Sequence, residues 1–221
     1  MRRIDAKLMD AVERDDIPEA TQALARGADP LAEDAWGQSP LSHAANEGLL
    51  DSLSLLLPHI KLDQPLKALG QLTLPVWAAQ EGRADVLMLI LHRRDLQRPC
   101  FAGWTPLMWA SHNGHAHCVA LLLPVSDKHA VDAQGRSALM LAAYSGKSNC
   151  VDLLVDDLSA AMIDNEGLTA AALAQRHGHA DTAQRISALL DLPPAPGNPP
   201  AVRPVAAMVA TSRRTCSHSL T

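Results

Sequence analysis

Glycines recur at positions 48, 82, 114, 146 and 178, separated by 34, 32, 32 and 32 residues, and nine residues ahead of each stands a hydroxyl side chain: Ser39, Thr73, Thr105, Ser137 and Thr169. A period of this length marks a chain assembled from one supersecondary unit used many times. Within each period the order of residue types dictates local structure. The Ser or Thr can accept hydrogen bonds from the first free amides of a helix, and Pro40 and Pro106 follow directly, where a missing amide proton costs nothing. The small pairs Ala44/Ala45, Ala78/Ala79, Ala110/Ser111 and Ala142/Ala143 then let neighbouring helices approach closely. The glycine ends that helix in a tight turn. A second helix is set out by Leu53, Leu56 and Leu57, or by Val119, Leu122 and Leu123, at helical spacing. One such unit is too small to bury its own apolar faces, so it must stack on its neighbours; the expected fold is an all-α solenoid.

Composition suits that architecture. Hydrophobic residues make up 48% of the chain but aromatics only 3%, so Ala, Leu, Val and Ile must fill the core, as close-packed helices favour. The net charge is -5; from Leu192 onward there are three Arg and no Asp or Glu, so the preceding part holds 16 basic against 24 acidic residues. That balance disfavours nucleic acid or an anionic membrane as the principal partner. No apolar run has the length of a transmembrane helix, and MRRIDAKLMDAVERDD places Asp and Lys where a secretory signal needs its apolar stretch. Cys100, Cys118, Cys150 and Cys216 show no CxxC spacing, which points to reduced thiols in a cytoplasm-like compartment.

The segments WGQSPLSHAANEG and AGWTPLMWASHNG resemble ankyrin repeats, whose pattern runs G-x-T-P-L-x-x-A-A-x-x-G. Gly103, Thr105, Pro106, Leu107, Ala110 and Gly114 match it directly; Gly37, Ser39, Pro40, Leu41, Ala44, Ala45 and Gly48 match with Ser for Thr. About six units are expected over residues 1–191, spanning roughly 5–33, 34–65, 66–99, 100–131, 132–163 and 164–191. In the first, Asp15 stands in place of the turn glycine, and Asp10, Glu13 and Gln22 suit an end facing water. At the other end Thr182, Gln184, Arg185 and Ser187 replace much of the apolar outer-helix pattern, as a closing cap requires. The units also depart from the pattern. Only Gly27 keeps the glycine that closes the second helix, with Ile60, Arg94, Ser126 and Leu158 in its place elsewhere, and Pro58 and Pro124 are expected to end their helices early. Thr73-Leu74-Pro75, with two extra residues upstream, predicts an irregular connection. Residues 192–221, PPAPGNPPAVRP and beyond, lack periodic apolar residues and are expected to form a disordered, proline-rich tail.

The cluster His112, His115, His117 and Cys118 invites a metal reading, because His and Cys are common zinc ligands. The repeat register argues otherwise. Cys118 falls at the apolar outer-helix position shared with Val86 and Cys150 and should face inward, while His117 points elsewhere. No metal or cofactor is therefore expected. No nucleophile elbow, phosphate-cradling loop or HExxH motif is present, and Asp156 and Asp157 read as solvated charge at a helix end. Nothing near Cys216 in sequence would activate its thiol.

The resemblance implies a concave surface toward which the residue two after the Leu of each TPL segment lies: His43, Trp77, Trp109, Leu141 and Leu173. This row could supply binding hot spots, or it could pack between inner helices and stiffen the stack, which suits the two leucines best. Trp36 and Trp104, in the turns that project as fingers, are further anchors if exposed; either could instead fold back over the adjacent finger. Asp34, Asp132 and Asp164 recur in those turns and should hydrogen-bond local backbone. The expected function is a non-catalytic scaffold that binds a partner protein through its groove and finger tips, with acidic fingers favouring basic partners and no small-molecule substrate. Replacing Trp77 and Trp109 together should then abolish partner capture while the helical signal survives. Alternatives are the same binding chemistry in a bacterial effector or toxin inhibitor, or a metal-dependent enzyme built on His112–Cys118.

Overall fold

The computed structural model describes residues 2–93 and 103–190, and every structural statement applies to those residues. The segments 94–102 and 191–221 lie outside them, and with them Cys100, Cys216 and the expected tail. Helices come in consecutive pairs: α1 (Arg3–Glu13) with α2 (Ile17–Ala25), then α3 (Pro40–Glu47) with α4 (Leu50–Leu56). Strands β1 (Pro65–Leu66) and β2 (Leu72–Thr73) lead into α5 (Leu74–Gln80) and α6 (Ala84–Ile90), followed by α7 (Pro106–Asn113) and α8 (Ala116–Leu122). After α9 (Ala138–Tyr144) and α10 (Ser148–Leu154) comes a short α11 (Asp157–Ala161), and α12 (Ala170–Arg176) with α13 (Ala180–Leu190) completes the described stack. The first helices of the pairs form one layer, with α5 on α7, α7 on α9 and α9 on α12; the second helices form the other, from α2 through α4, α6, α8 and α10 to α13.

The caps explain the repeated boundaries. Ser39, Thr105, Ser137 and Thr169 each accept a hydrogen bond from the amide three residues on, at 3.2, 3.3, 3.4 and 3.3 Å. Thr73 makes no such bond, because it belongs to β2 and its proline follows one position late. Asp15, in place of a glycine, adopts a left-handed φ of 52°, a conformation its short polar side chain tolerates. At Gly82 and Gly146 glycine is required twice over. Their φ values are +73° and +67°, and a Cβ would lie 2.6 Å from His115 Nδ1 and 2.5 Å from His179 Nδ1, the rings of the next pair resting on each turn.

Between the layers the small residues Ala44, Ala45, Ala78, Ala79, Ala110, Ser111, Ala142 and Ala143 are fully buried, along with Leu53, Leu56, Val119 and Leu122 of the second helices. Each leucine buried this way contributes about 1.5–3 kcal/mol. Pro58 and Pro124 do end their helices: α4 and α8 tighten into single 3-10 turns over Leu57–His59 and Leu123–Val125. The irregular connection is an antiparallel hairpin pairing Pro65 with Thr73 and Leu66 with Leu72, closed by Gly70 and a left-handed Gln71.

Two expectations need correcting. Thr182 does not face water; it is buried, and its hydroxyl lies 3.0 Å from that of Ser148 on α10, so a polar pair replaces an apolar one inside the last interface. Asp156 is not free loop charge: it caps α11, accepting from the Ser159 amide at 2.7 Å, and ion-pairs with Lys128. Burial pushes its carboxyl up, but the Lys128 and Ser159 contacts outweigh this and hold its pKa below the usual carboxylate range.

Candidate protein-binding face

Three of the turns are built on an aspartate. Asp34 Oδ1 accepts from the amides of Trp36 and Gln38 at 2.8 Å, Asp132 Oδ1 from Gln134 and Arg136 at 2.9 Å, and Asp164 Oδ1 from Glu166 and Leu168 at 2.9 Å. These carboxylates hold the turns, as their recurrence suggested. Among the finger acids, Glu33 is paired with Lys67 and Glu166 with Arg176, both at the surface.

The two finger tryptophans have opposite fates. Trp36 projects from its turn at 86% exposure. Trp104 folds back: its indole Nε1 donates to Asp132 Oδ2 at 3.0 Å, and the Arg136 guanidinium lies 5.8 Å from its ring centroid while also bonding Asp132. Asp132 thereby ties two successive fingers together.

The row inferred from the resemblance sits mainly inside the stack. Leu141 is 0% and Leu173 4% exposed, between inner helices, and Trp77 is 8% exposed beneath the Arg83 guanidinium; Trp109 and His43 are half-buried. The row is therefore chiefly packing, with only His43 and Trp109 partly open to solvent. Replacing Trp77 by Ala would excavate the core at a cost of about 3–5 kcal/mol, so the Trp77/Trp109 double replacement confounds binding with folding.

What the groove presents instead is a chain of rings. Trp109 and Trp104 have centroids 4.7 Å apart, Trp104 and His112 5.2 Å, His112 and Tyr144 6.2 Å, and Tyr144 and His177 4.1 Å. His112, Tyr144 and His177 come from the last turns of α7 and α9 and the residue that caps α12, so three successive inner helices build one continuous aromatic track. His112 Nδ1 lies 2.7 Å from the Ser145 hydroxyl; burial, then Arg136 and Lys147, push its pKa below the ordinary histidine value. Beside Tyr144 and His177 opens a depression of about 290 Å³ edged by Arg136, Asn165, Glu166 and Arg176. The Trp109 indole N–H, buried next to Trp104, has no acceptor among the described residues.

The residues of the metal reading diverge. His115 Nε2 is 2.9 Å from the Gln80 carbonyl, His117 is exposed, and Cys118 is fully buried in the core. Burial pushes the thiols of Cys118 and Cys150 up to about 11, which makes them poor nucleophiles and poor ligands. Among the described residues no three His, Cys, Asp or Glu side chains group as a metal ion would need.

A family model for ankyrin repeats (3 copies) matches residues 8–100, 76–162 and 120–193. The chain belongs to the ankyrin repeat family. Ankyrin repeats generally mediate protein–protein interaction, and the fold is typically a non-enzymatic interaction domain. The crystal structure of the ankyrin repeat protein EF0377 superposes with a TM-score of 0.67 at 21% identity, covering 85% of this chain and 98% of that one. An ankyrin repeat domain from Acinetobacter baumannii gives the same TM-score at 24% identity over 82% and 96% of the two chains. At these identities the likeness concerns the fold alone. The 2-5A-dependent ribonuclease of Mus musculus is 43% identical over 56 residues, a partial match to 25% of this chain that spans 8% of the ribonuclease. No helix among the described residues is long and apolar enough to cross a membrane.

Sequence reasoning missed Tyr144 and His177. They stand seven and eight residues after their capping Ser137 and Thr169, so no single column of the repeat contains both. A search for rings in the last turn of each inner helix would have found them.

Proposed function

We propose that this ankyrin chain is a non-catalytic scaffold of about six repeats that binds a partner protein along the concave face of its later repeats. The observation that supports it most is the continuous series Trp104, His112, Tyr144 and His177, partly open to solvent and flanked by Arg136, Glu166 and Arg176. Aromatic and arginine side chains in such a setting are the usual carriers of binding energy, and a groove fixed by helix packing loses little entropy on docking. Trp36, exposed on a distant finger, is a second anchor. Two buried, unbridged cysteines favour action in a reducing compartment such as the cytoplasm. Nucleic acid, a membrane surface and a small-molecule substrate are not the intended ligands on this reading.

Affinity capture from native lysate, with identification of the retained proteins, tests it. Tyr144→Ala combined with His177→Ala should lower retention of a specific partner about tenfold or more, the loss of a single hot spot's worth of binding energy. Retention equal to that of the unaltered chain would sink the concave-face reading.

A further inference from the structure

The depression of about 290 Å³ beside Tyr144 and His177 is lined by the last two finger turns and by two arginines, Arg136 and Arg176. We propose that it takes the carboxylate of an Asp or Glu from an acidic segment of the partner protein, with the adjacent apolar residue of that segment resting on the rings of Tyr144 and His177. The proposal rests on the concave face being the binding surface and names the chemistry of what binds there.

Three observations carry it. The first is a set of unused donors. Arg136 spends Nε and Nη2 on Asp132 and Gln134, and Arg176 spends Nη1 on Glu166. Among the described residues, Arg136 Nη1, Arg176 Nε and Nη2 and the Tyr144 hydroxyl have no acceptor, although all four belong to residues that line the depression. The planar N–H fork of a guanidinium matches the two oxygens of a carboxylate. The second is the weak hold of the acid already present. The side chains of Arg176 and Glu166 are 57% and 65% exposed, and a pair so open to water contributes little, so an incoming carboxylate can take Arg176 from Glu166 at small cost. Asp132 and Asp164, the other acids of these two turns, lie buried, and Oδ1 of each already accepts two backbone amides. The third is sign. The chain carries a net charge of -5, yet the charges that act on half-buried His112, in the middle of the track, are the cations Arg136 and Lys147, and both push its pKa down. The potential at the track is therefore opposite in sign to the net charge of the molecule and attracts an anionic segment.

The test selects binders to the full chain from a phage-displayed library of random nonapeptides, then measures the affinity of a selected peptide and of the same peptide with its Asp or Glu changed to the amide. Peptides that place Asp or Glu beside an aromatic or aliphatic residue should dominate the selection. R176Q should weaken the acidic peptide about fivefold and leave its amide counterpart unchanged, the factor expected of an ion pair at this exposure. E166Q removes the resident competitor and should tighten the acidic peptide about threefold. Both substitutions are at the surface, so the fold is kept. Selection of basic or uncharged peptides, or of none, overturns the proposal, as does an R176Q effect equal on the acidic peptide and its amide, or weakening by E166Q. Failure of the concave-face reading looks different: uncharged peptides whose binding Y144A with H177A abolishes keep the face and remove the carboxylate site, whereas acidic peptides indifferent to that double substitution remove the face.

Discussion

The joint between the second and third helix pairs is made differently from those that follow it. Along α5, α7, α9 and α12 the inner helices pack directly on one another, small residue against small residue. A side chain resting on the previous turn glycine is common to both parts, Arg83 on Gly48 as His115 on Gly82. Between α3 and α5 the hairpin Pro65–Thr73 intervenes and the joint is bridged by two arginines. Arg83 donates to the carbonyls of Ala45 and Asn46 at 3.0 and 3.3 Å, and Arg93 to those of Leu57 and Ile60 at 3.0 and 2.9 Å. Arg83 satisfies carbonyls in the last turn of α3, Arg93 adds a donor to the Leu57 carbonyl, which also accepts from the Ile60 amide, and both bring cations to the negative ends of helix dipoles. The surfaces differ in step: the early inner helices end in Asn46, Glu47, Gln80 and Glu81, the later ones in His112, Tyr144 and His177. One repeat template therefore yields a polar, stapled earlier part and an aromatic, directly packed later part.

The contrast can be broken from either side. Leu141→Ala, in the directly packed half, should cost about 2–5 kcal/mol in urea unfolding, because it empties a site with no solvent access. Arg83→Ala with Arg93→Ala should cost about 2 kcal/mol, since charged donors to helix carbonyls contribute at this level, and should separate the unfolding of the first two pairs from the rest. Gly146→Ala should cost about 1–3 kcal/mol, from the left-handed backbone and the displaced His179 ring.

Acid sharpens the comparison. Asp5, hydrogen-bonded by Arg2 and by the Asp29 amide, has its carboxyl lowered to about 2 despite burial. Its folded pKa lies below its unfolded one, so its contribution is complete above about pH 4 and is lost as pH falls toward 2. The first helix pair should loosen in that window, and Asp5→Asn should flatten the dependence when melting temperatures are compared from pH 5 to pH 2. Smallest of all, Trp36→Ala should change stability by less than about 0.5 kcal/mol, as expected for a side chain open to water.

The helix pairs were legible in the sequence because every boundary is written several times: a hydroxyl cap, a small pair, a turn glycine. Asp15 could be assigned to a glycine's place for the same reason. The site was less legible because it arises between units. Trp104 is tied to Asp132, 28 residues away, and the aromatic track gathers residues from different columns of the repeat. Register alone pointed to Leu141, Leu173 and Trp77, whose neighbours on adjacent helices close over them. Arg93 was hidden too, since a side chain reaching the Leu57 and Ile60 carbonyls leaves no periodic mark, whereas Arg83 stands in the column of His115 and His179 and reaches the previous pair as His115 does.

Native-state hydrogen exchange across low urea concentrations measures the difference between the two halves directly. Amides of α7, α9 and α12 should share one opening free energy, with α1 to α4 opening together at a lower value. A single opening free energy spanning Arg83 and Arg93, or earlier opening of α9 than of α3, would contradict the division of the molecule.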